Sequence, residues 1–356
     1  MNNILHVYPQ LNCGGTETVF YSLIKYSDRN LFHYDILIQR AGEQEHFFEE
    51  LGCNIITIPY ESSEQYHSDL HEFFSKNNYQ AVHCHMHEEM SIVLQEARKA
   101  GVLHCISHSH NARIDIPKLL WPFRYLKYAK YEKYATDLFG CSELALKWLF
   151  PSRWKEGVVI YNGIDLDAFQ FNVDVRKAYR RKLGVNDSTK VVINVGRCTD
   201  QKNHNFILNR AKELAAENLL FVIIGEGPLF QALQNRIKNE GISNVRMLGK
   251  QFDVPQWLCA ADIFMFPSIY EGLGIVAIEA QANGLPVLST NSIPLETDMH
   301  IGIFYRIALK NVESWRRLLC CVNIDCATRR QKSTEAYNSK YNIRNVVKEV
   351  EQIYMK

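Results

Sequence analysis

The stretch FPSIYEGLGIVAIEA, residues 266–280, decides the fold. The apolar run 263–266, typical of a strand, ends at the first residue of this stretch, Phe266, and Glu271 follows in a short loop. Two glycines then lead into a segment with apolar residues at helical spacing. A strand that turns through glycines into a helix belongs to a parallel β-α-β unit. The start of such a helix offers unpaired N–H groups to an anion such as a diphosphate.

The same alternation extends along the whole chain in two series. Strand-like runs separated by helix-length segments occur at 4–8, 34–38, 55–58, 81–83, 103–107, 137–139 and 158–161, and again at 190–196, 219–224, 245–248, 263–266 and 286–288. We predict an α/β protein built from parallel β-α-β units. The polar, charged stretch 165–188 separates the series and is predicted to connect two domains, for which 356 residues suffice.

Composition narrows the class of protein. Forty basic and thirty-nine acidic residues give a net charge of +1, so no global field favours nucleic acid. The N-terminus lacks the features of a signal peptide, and no apolar run has the length of a membrane span. We expect a protein on the cytoplasmic side, either free or peripheral at the inner face of the membrane. Its ten cysteines form no C-x-x-C pair and are expected to be reduced and structural.

Two glutamates in the opening stretch suit hydroxyl ligands. The Glu271 carboxylate would repel phosphate but could accept hydrogen bonds from a sugar. Glu279 lies one to two turns into the predicted helix and could hold the two hydroxyls of a ribose. On spacing alone the alternative is equally open: Glu271 as an acidic residue at a helix start, and Glu279 as a solvated side chain.

Five segments in order resemble the family 4 retaining glycosyltransferases of GT-B fold. They are Gly14-Gly15-Thr16-Glu17, Asn162-Gly163-Ile164-Asp165, Gly196-Arg197 with Gln201-Lys202-Asn203, Gly225-Glu226-Gly227-Pro228-Leu229, and 266–287. The resemblance covers nearly the whole chain. It implies two Rossmann-like domains whose parallel sheets face a central cleft. Residues 1–165 would bind the acceptor and 166–339 the nucleotide sugar, with a C-terminal helix at about 340–356 free to pack back onto the first domain.

The resemblance also implies roles for individual residues. Arg197 and Lys202 would clasp the donor diphosphate, which fits because the leaving group gains charge as the glycosidic bond breaks. The alternative, two exposed cations near a helix start, is electrostatically disfavoured without an anion. Glu271 would contact the donor sugar and Glu279 the ribose.

Glycines at two places would allow close approach of substrate. The resemblance implies that the backbone of Gly272-Leu273-Gly274 meets the diphosphate. Gly14 and Gly15 would admit substrate to the first domain without a Cβ clash. The turn at 225–228 is expected only to reverse the chain.

Clustered histidines raise the question of a metal. They are His83, His85 and His87, and His104, His108 and His110. Alternate histidines on a strand share one face, as metal ligands do. The resemblance instead implies no metal, because lysine and arginine supply the positive charge, and it places a histidine near the donor sugar. We prefer His110 for that role, with His108 as the alternative, and predict no cofactor besides the nucleotide-sugar co-substrate.

The function that follows is a retaining hexosyltransferase. The resemblance implies transfer from a nucleoside-diphosphate sugar, with UDP favoured, to a saccharide or lipid-linked acceptor hydroxyl in surface polysaccharide synthesis. A GT-B nucleotide-sugar epimerase or hydrolase and a non-catalytic nucleotide-sugar-binding protein remain as alternatives. Segment 118–134 has five cations, one acid and interleaved aromatic residues. Such a helix suits an anionic membrane surface or, equally, an ordinary solvated face.

Overall fold

A computed structural model describes residues 2–12, 15–85, 89–110 and 128–356. It divides the chain into two compact units, one formed by Met1–Ile164 with Lys340–Lys356 and the other by Asp165–Ser339. Each unit is built on its own sheet of parallel strands with helices on both faces.

The first unit has a seven-stranded sheet with the order β3-β2-β1-β4-β5-β6-β7. Its strands are β1 (Asn2–Tyr8), β2 (Phe32–Ile38), β3 (Asn54–Thr57), β4 (Ala81–Cys84), β5 (His104–Ser109), β6 (Asp137–Gly140) and β7 (Val158–Val159). Its helices are α1 (Gly15–Tyr26), α2 (Glu45–Glu50), α3 (Ser63–Lys76), α4 (Met90–Lys99) and α5 (Glu143–Leu149). Because helices cover both faces, the central strands β1, β4 and β5 are buried on both sides, and their polar members His6, His83 and His108 are buried with them.

The second unit has a six-stranded sheet with the order β10-β9-β8-β11-β12-β13. Its strands are β8 (Lys190–Val195), β9 (Leu219–Ile224), β10 (Val245–Gly249), β11 (Ile263–Phe266), β12 (Val287–Thr290) and β13 (Phe304–Ile307). Its helices are α6 (Val173–Leu183), α7 (His204–Glu213), α8 (Phe230–Asn239), α9 (Val254–Ala260), α10 (Ile275–Ala282), α11 (Val312–Cys321) and α12 (Cys326–Ala336). All strand pairs in both sheets are parallel, which confirms the predicted fold class.

The stretch 165–188 is not the interdomain connection that its composition predicted, because it contains helix α6. The Asn172 side chain caps the helix at its start, and Gly184 ends it with a φ of +67°. Arg180 is only 2% exposed, and its guanidinium donates to Asp262 at 3.0 Å. A charged helix therefore packs into the second unit because its inward-facing charge is paired.

Helix α13 (Ile343–Tyr354) belongs to the first unit. The backbone N–H of Ile164 donates to the carbonyl of Tyr341 at 2.8 Å, which fixes the chain just before the helix. Val350 and Tyr354 on its inner face are fully buried among residues of the first sheet. Within the described ranges, no helix has both the length and the apolar character needed to cross a membrane.

Candidate active site

Each sheet contains a point where the strand order reverses, between β1 and β4 in the first unit and between β8 and β11 in the second. Open α/β sheets bind ligands outside the carboxyl ends of the strands at such points. His85 directly follows β4, Arg197 follows β8 by two residues, and Glu271 lies in the loop after β11. Arg197 and Glu271, two predicted site residues of the second unit, therefore lie at its switch point, whereas His110, the histidine predicted for the first unit, follows the neighbouring strand β5.

In the second unit the structure brings Lys202 and Glu271 together. Lys202 Nζ lies 2.6 Å from Glu271 Oε1, and their side chains are only 17% and 8% exposed. Gln201 Nε2 donates to the carbonyl of Tyr270 at 3.0 Å, and the N–H of Ile269 donates to the carbonyl of Gln201 at 2.8 Å. The loops after β8 and β11 are thus joined, and Glu271 lies buried in the loop three residues before Gly274 rather than in the first turn of the helix.

Arg197 occupies an exposed position on the loop after β8. Within the described ranges, no side chain forms an ion pair or hydrogen bond with its guanidinium. The N–H of Cys198 donates to the carbonyl of Glu226 at 2.8 Å, and a Cβ on Gly227 would lie 2.8 Å from the carbonyl oxygen of Cys198. The 225–228 turn therefore packs against the loop that carries Arg197, a larger role than the chain reversal predicted for it.

Helix α10 begins at Ile275, and Gly274, the residue before it, has a φ of +80°. A Cβ there would lie 2.8 Å from Cε1 of Phe266, so both backbone conformation and space require glycine. Gly274 has no side chain that could cap the helix start, and the Thr297 hydroxyl donates to the carbonyl of Leu273 and holds the loop in place. Gly272-Leu273-Gly274 thus precedes first-turn N–H groups that can meet an anion, as the prediction requires.

Replacing Gly274 by alanine is expected to destabilise the second unit through this contact. Gly184→Ala is the matched control, since its φ of +67° imposes the same backbone strain but nothing lies within 4 Å of the added Cβ. We expect Gly274→Ala to lose about 1–3 kcal/mol more than the control, the usual cost of overpacking. Urea unfolding of both variants measures the difference in the free energy of unfolding. Equal losses of stability would show that the Phe266 ring moves aside without a measurable cost.

Glu279 is a buried carboxyl on α10, 9% exposed. Burial raises its pKa to about 8, and no residue in the described part of the chain offsets that effect with a charge or a hydrogen bond. The solvated alternative does not fit this position. A buried carboxyl without a donor can accept hydrogen bonds from a hydroxyl pair of a ligand.

In the first unit the predicted histidines cluster with others from neighbouring strands. His85 Nδ1 lies 2.8 Å from His110 Nε2, and His85 Nε2 lies 2.9 Å from His6 Nδ1. His83 Nε2 lies 3.0 Å from His108 Nδ1. Burial lowers the pKa of His6 to about 3 and those of His83 and His85 well below the ordinary value. These three rings are therefore neutral at physiological pH.

A small pocket opens beside the cluster. Its polar lining is contributed by Tyr8, Thr16, His85, His108, His110, Tyr161 and Asn162. His108 is 5% exposed on β5, whereas His110, just after the strand, is partly exposed as a residue, although its Nδ1 atom is buried. Gly15 begins α1 at this edge of the sheet, and Gly14 lies outside the described residues.

The basic, aromatic segment 118–134 is described only from Tyr128 onward. Residues 128–133 are helical, with Tyr131 and Glu132 buried and Lys130 and Lys133 exposed. This part of the segment therefore has both a packed face and a cationic solvent face.

Tyr354 was not predicted as part of the site. Its hydroxyl lies 2.6 Å from His83 Nδ1 and 3.4 Å from His6 Nε2, although 271 and 348 residues separate it from these partners. The apolar spacing of the C-terminal helix indicates a packed face, but no local signal identifies its partners.

The two sheets of parallel strands, with helices around each, are those of the GT-B fold. Residues 175–300 match the family model described as glycosyl transferases group 1. The chain is 30% identical over 325 residues to the putative glycosyltransferase EpsF of Bacillus subtilis, which covers 86% of this chain and 83% of that protein. The chain belongs to the group 1 glycosyltransferases.

Other similarities agree with this family. The chain is 29% identical over 239 residues to the UDP-Gal:α-D-GlcNAc-diphosphoundecaprenol α-1,3-galactosyltransferase of Escherichia coli, over 62% of this chain and 60% of that enzyme. The crystal structure of Anabaena Alr3699/HepE in complex with UDP-glucose superposes with a TM-score of 0.82, at 17% identity over 99% of each chain. The latter similarity supports the GT-B fold.

Proposed function

We propose that this glycosyltransferase moves a hexose from a UDP-sugar, with retention, to a hydroxyl of a lipid-linked saccharide in surface polysaccharide synthesis. The observation that carries the proposal is the Lys202–Glu271 pair at 2.6 Å, which joins a predicted phosphate ligand to a predicted sugar ligand. The UDP-glucose bound by the Anabaena neighbour and the diphosphoundecaprenol-linked substrate of the Escherichia coli relative support the donor and acceptor classes. Such an acceptor suits a cytoplasmic protein that touches the membrane through 118–134.

The arrangement suits departure of a nucleoside diphosphate. As the glycosidic bond breaks, negative charge develops on the β-phosphate, where Arg197, Lys202 and the start of α10 would stabilise it. Glu271 would accept hydrogen bonds from the sugar hydroxyls, and Glu279 from the ribose. The acceptor hydroxyl would attack from the face that the diphosphate leaves and pass its proton to the leaving phosphate oxygen.

A donor screen by thermal shift tests the proposal first. A ligand that binds only the folded protein stabilises it by about 2.7 kcal/mol when the ligand concentration is 100 times its Kd. Because UDP is the proposed nucleotide, UDP-sugars should raise the Tm more than GDP- or ADP-sugars. The best donor is then incubated with and without a lipid-linked saccharide, and the anomeric configuration of the product is determined by NMR. An inverted product would contradict retention, and sugar epimerised or released without acceptor would favour the epimerase or hydrolase.

Activity is expected to persist in excess EDTA, because cationic side chains take the place of a metal at the diphosphate. The initial rate with and without chelator measures this, with a Mn²⁺-dependent transferase as positive control for chelation. Loss of activity that Mg²⁺ or Mn²⁺ restores would contradict the proposal and direct attention to His83, His85 and His108.

A further inference from the structure

Six buried or partly buried groups in the first unit form a continuous hydrogen-bonded chain, which we call the histidine chain. In order, its members are His110, His85, His6, Tyr354, His83 and His108. The successive contacts are 2.8, 2.9, 3.4, 2.6 and 3.0 Å. The chain joins three neighbouring strands and the C-terminal helix, and both of its ends lie at the pocket.

The atoms at each link constrain the protons. Each histidine bonds through Nε2 to the neighbour that is nearer the His108 end of the chain. It bonds through Nδ1 to the neighbour that is nearer the His110 end. A neutral imidazole has one donor nitrogen and one acceptor nitrogen, and a tyrosine hydroxyl can donate one proton while accepting another. If one neutral ring carries its proton on Nε2, every other neutral ring of the chain must carry its proton on Nε2 as well. In the reverse arrangement, all five imidazole protons are on Nδ1.

A metal site is a poorer description of the same cluster. His6, His83 and His85, and likewise His85, His108 and His110, offer ligand atoms within 4.8 Å of one another. Zinc–nitrogen bonds of about 2.0–2.1 Å in a tetrahedron would place the nitrogens roughly 3.3–3.4 Å apart. The linked nitrogens are 2.8–3.0 Å apart, which is the distance of a hydrogen bond.

We propose that the histidine chain holds its five imidazoles in one common tautomer and thereby sets whether the buried Nδ1 of His110 is a donor or an acceptor. Tyr354 is then a positioning residue that couples the two halves of the chain. The consequence for catalysis rests on the proposed function, in which His110 contacts the donor sugar. The common tautomer itself does not depend on that function.

The test uses the full-length protein labelled with ¹⁵N-histidine. Ring ¹⁵N chemical shifts distinguish Nδ1–H from Nε2–H, and single His→Gln substitutions assign the five signals among thirteen histidines. We expect one shared tautomer in the wild type. Tyr354→Phe removes the central hydroxyl, so the two halves, His110-His85-His6 and His83-His108, should orient independently. Mixed tautomers in the wild type, or a bound metal ion in the protein as purified, would overturn the proposal.

Tyr34→Phe provides a matched control. Tyr34 is fully buried in the same unit and packs near His6, but its hydroxyl pairs with Ser27 at 2.7 Å and is not a member of the chain. This variant should keep the common tautomer. If it disturbs the five signals as Tyr354→Phe does, the effect is one of general packing and the proposal fails.

Kinetics then separate the inference from the proposed function. In Tyr354→Phe, kcat should fall about 3- to 10-fold with little change in the KM for the donor, because His110 would occupy the wrong tautomer part of the time. Tyr34→Phe should leave both parameters unchanged. If tautomer uniformity is lost while kcat stays at the wild-type value, the chain is established and it is the catalytic role of His110 that is wrong.

Discussion

Arg197→Ala is expected to lower kcat by about 30- to 1000-fold while the folded protein remains as stable as the wild type. The loss corresponds to about 2–4 kcal/mol, the usual cost of removing one group that stabilises charge in a transition state. Stability should not change, because Arg197 is exposed and pairs with no side chain in the described ranges. Initial rates with the best donor, together with thermal unfolding, measure the two quantities.

Lys202→Ala should reduce kcat to a similar degree but also destabilise the protein. Removing the ammonium leaves Oε1 of the Glu271 carboxylate, whose side chain is 8% exposed, without its partner at 2.6 Å, while Oε2 keeps a longer hydrogen bond from Gln201 Nε2 at 3.4 Å. An unsatisfied buried acceptor costs about 1–3 kcal/mol. The difference in Tm between the two variants thus tests the paired geometry independently of catalysis.

Lys212→Ala is the control for nonspecific loss of charge. Lys212 pairs with Glu240 at 3.0 Å on an exposed surface, with 57% and 32% of the side chains accessible. Its removal should change neither rate nor Tm by a measurable amount. Wild-type turnover in Arg197→Ala or in Lys202→Ala would remove that residue from the mechanism.

Most of the fold follows from apolar patterning. The run at 190–196 predicts strand β8, because buried parallel strands tend to be continuously apolar. Apolar runs predict twelve of the thirteen strands in the part of the chain that the structure describes. Strand β13 was missed because Phe304–Ile307 is short, half-buried and contains Arg306. Helix α6 was mistaken for a connection because its charges are neutralised by partners distant in sequence, such as Asp262.

In the site, too, local sequence motifs identify individual residues, whereas the contacts between those residues depend on partners distant in the sequence. A motif identifies Lys202 and Glu271 separately, but only the fold shows that residues 69 positions apart form an ion pair. The alternating histidines predicted one polar face on each strand. The order of their hydrogen bonds depends on the register of β1 against β4, which places His6 opposite His83, and on a tyrosine from the last helix.

Nucleotide binding is expected to strengthen as pH rises toward 8, through Glu279. Its pKa of about 8 means that the carboxyl is protonated in the free protein at neutral pH. Ribose hydroxyls that donate to the carboxylate would lower this pKa, so binding must release a proton below pH 8. The Kd for UDP should therefore fall by up to about tenfold per pH unit, equivalent to about 1.4 kcal/mol, and level off above pH 8.

The same buried carboxyl should limit stability in the absence of ligand. At pH values between 4.5, the ordinary pKa of this carboxyl, and about 8, Glu279 is deprotonated in the unfolded chain but protonated in the folded protein. The free energy of unfolding then decreases with rising pH by about 1.4 kcal/mol per unit over this interval. Glu279→Gln should lack this decrease and should be more stable than the wild type at pH 8. Its Kd for UDP should be higher than that of the wild type.

Calorimetry in buffers of different ionisation enthalpy counts the protons released on binding. UDP itself titrates near neutral pH and contributes to the proton release. Glu279→Gln keeps this contribution of the ligand and lacks that of the carboxyl, so proton release by this variant is the baseline. At pH 7 the wild type should release close to one proton more than this variant. Equal proton release, or equally tight binding of UDP at pH 8, would show that the carboxyl does not receive the ribose hydroxyls. Glu279 would then be a buried acid of α10 whose role is confined to packing.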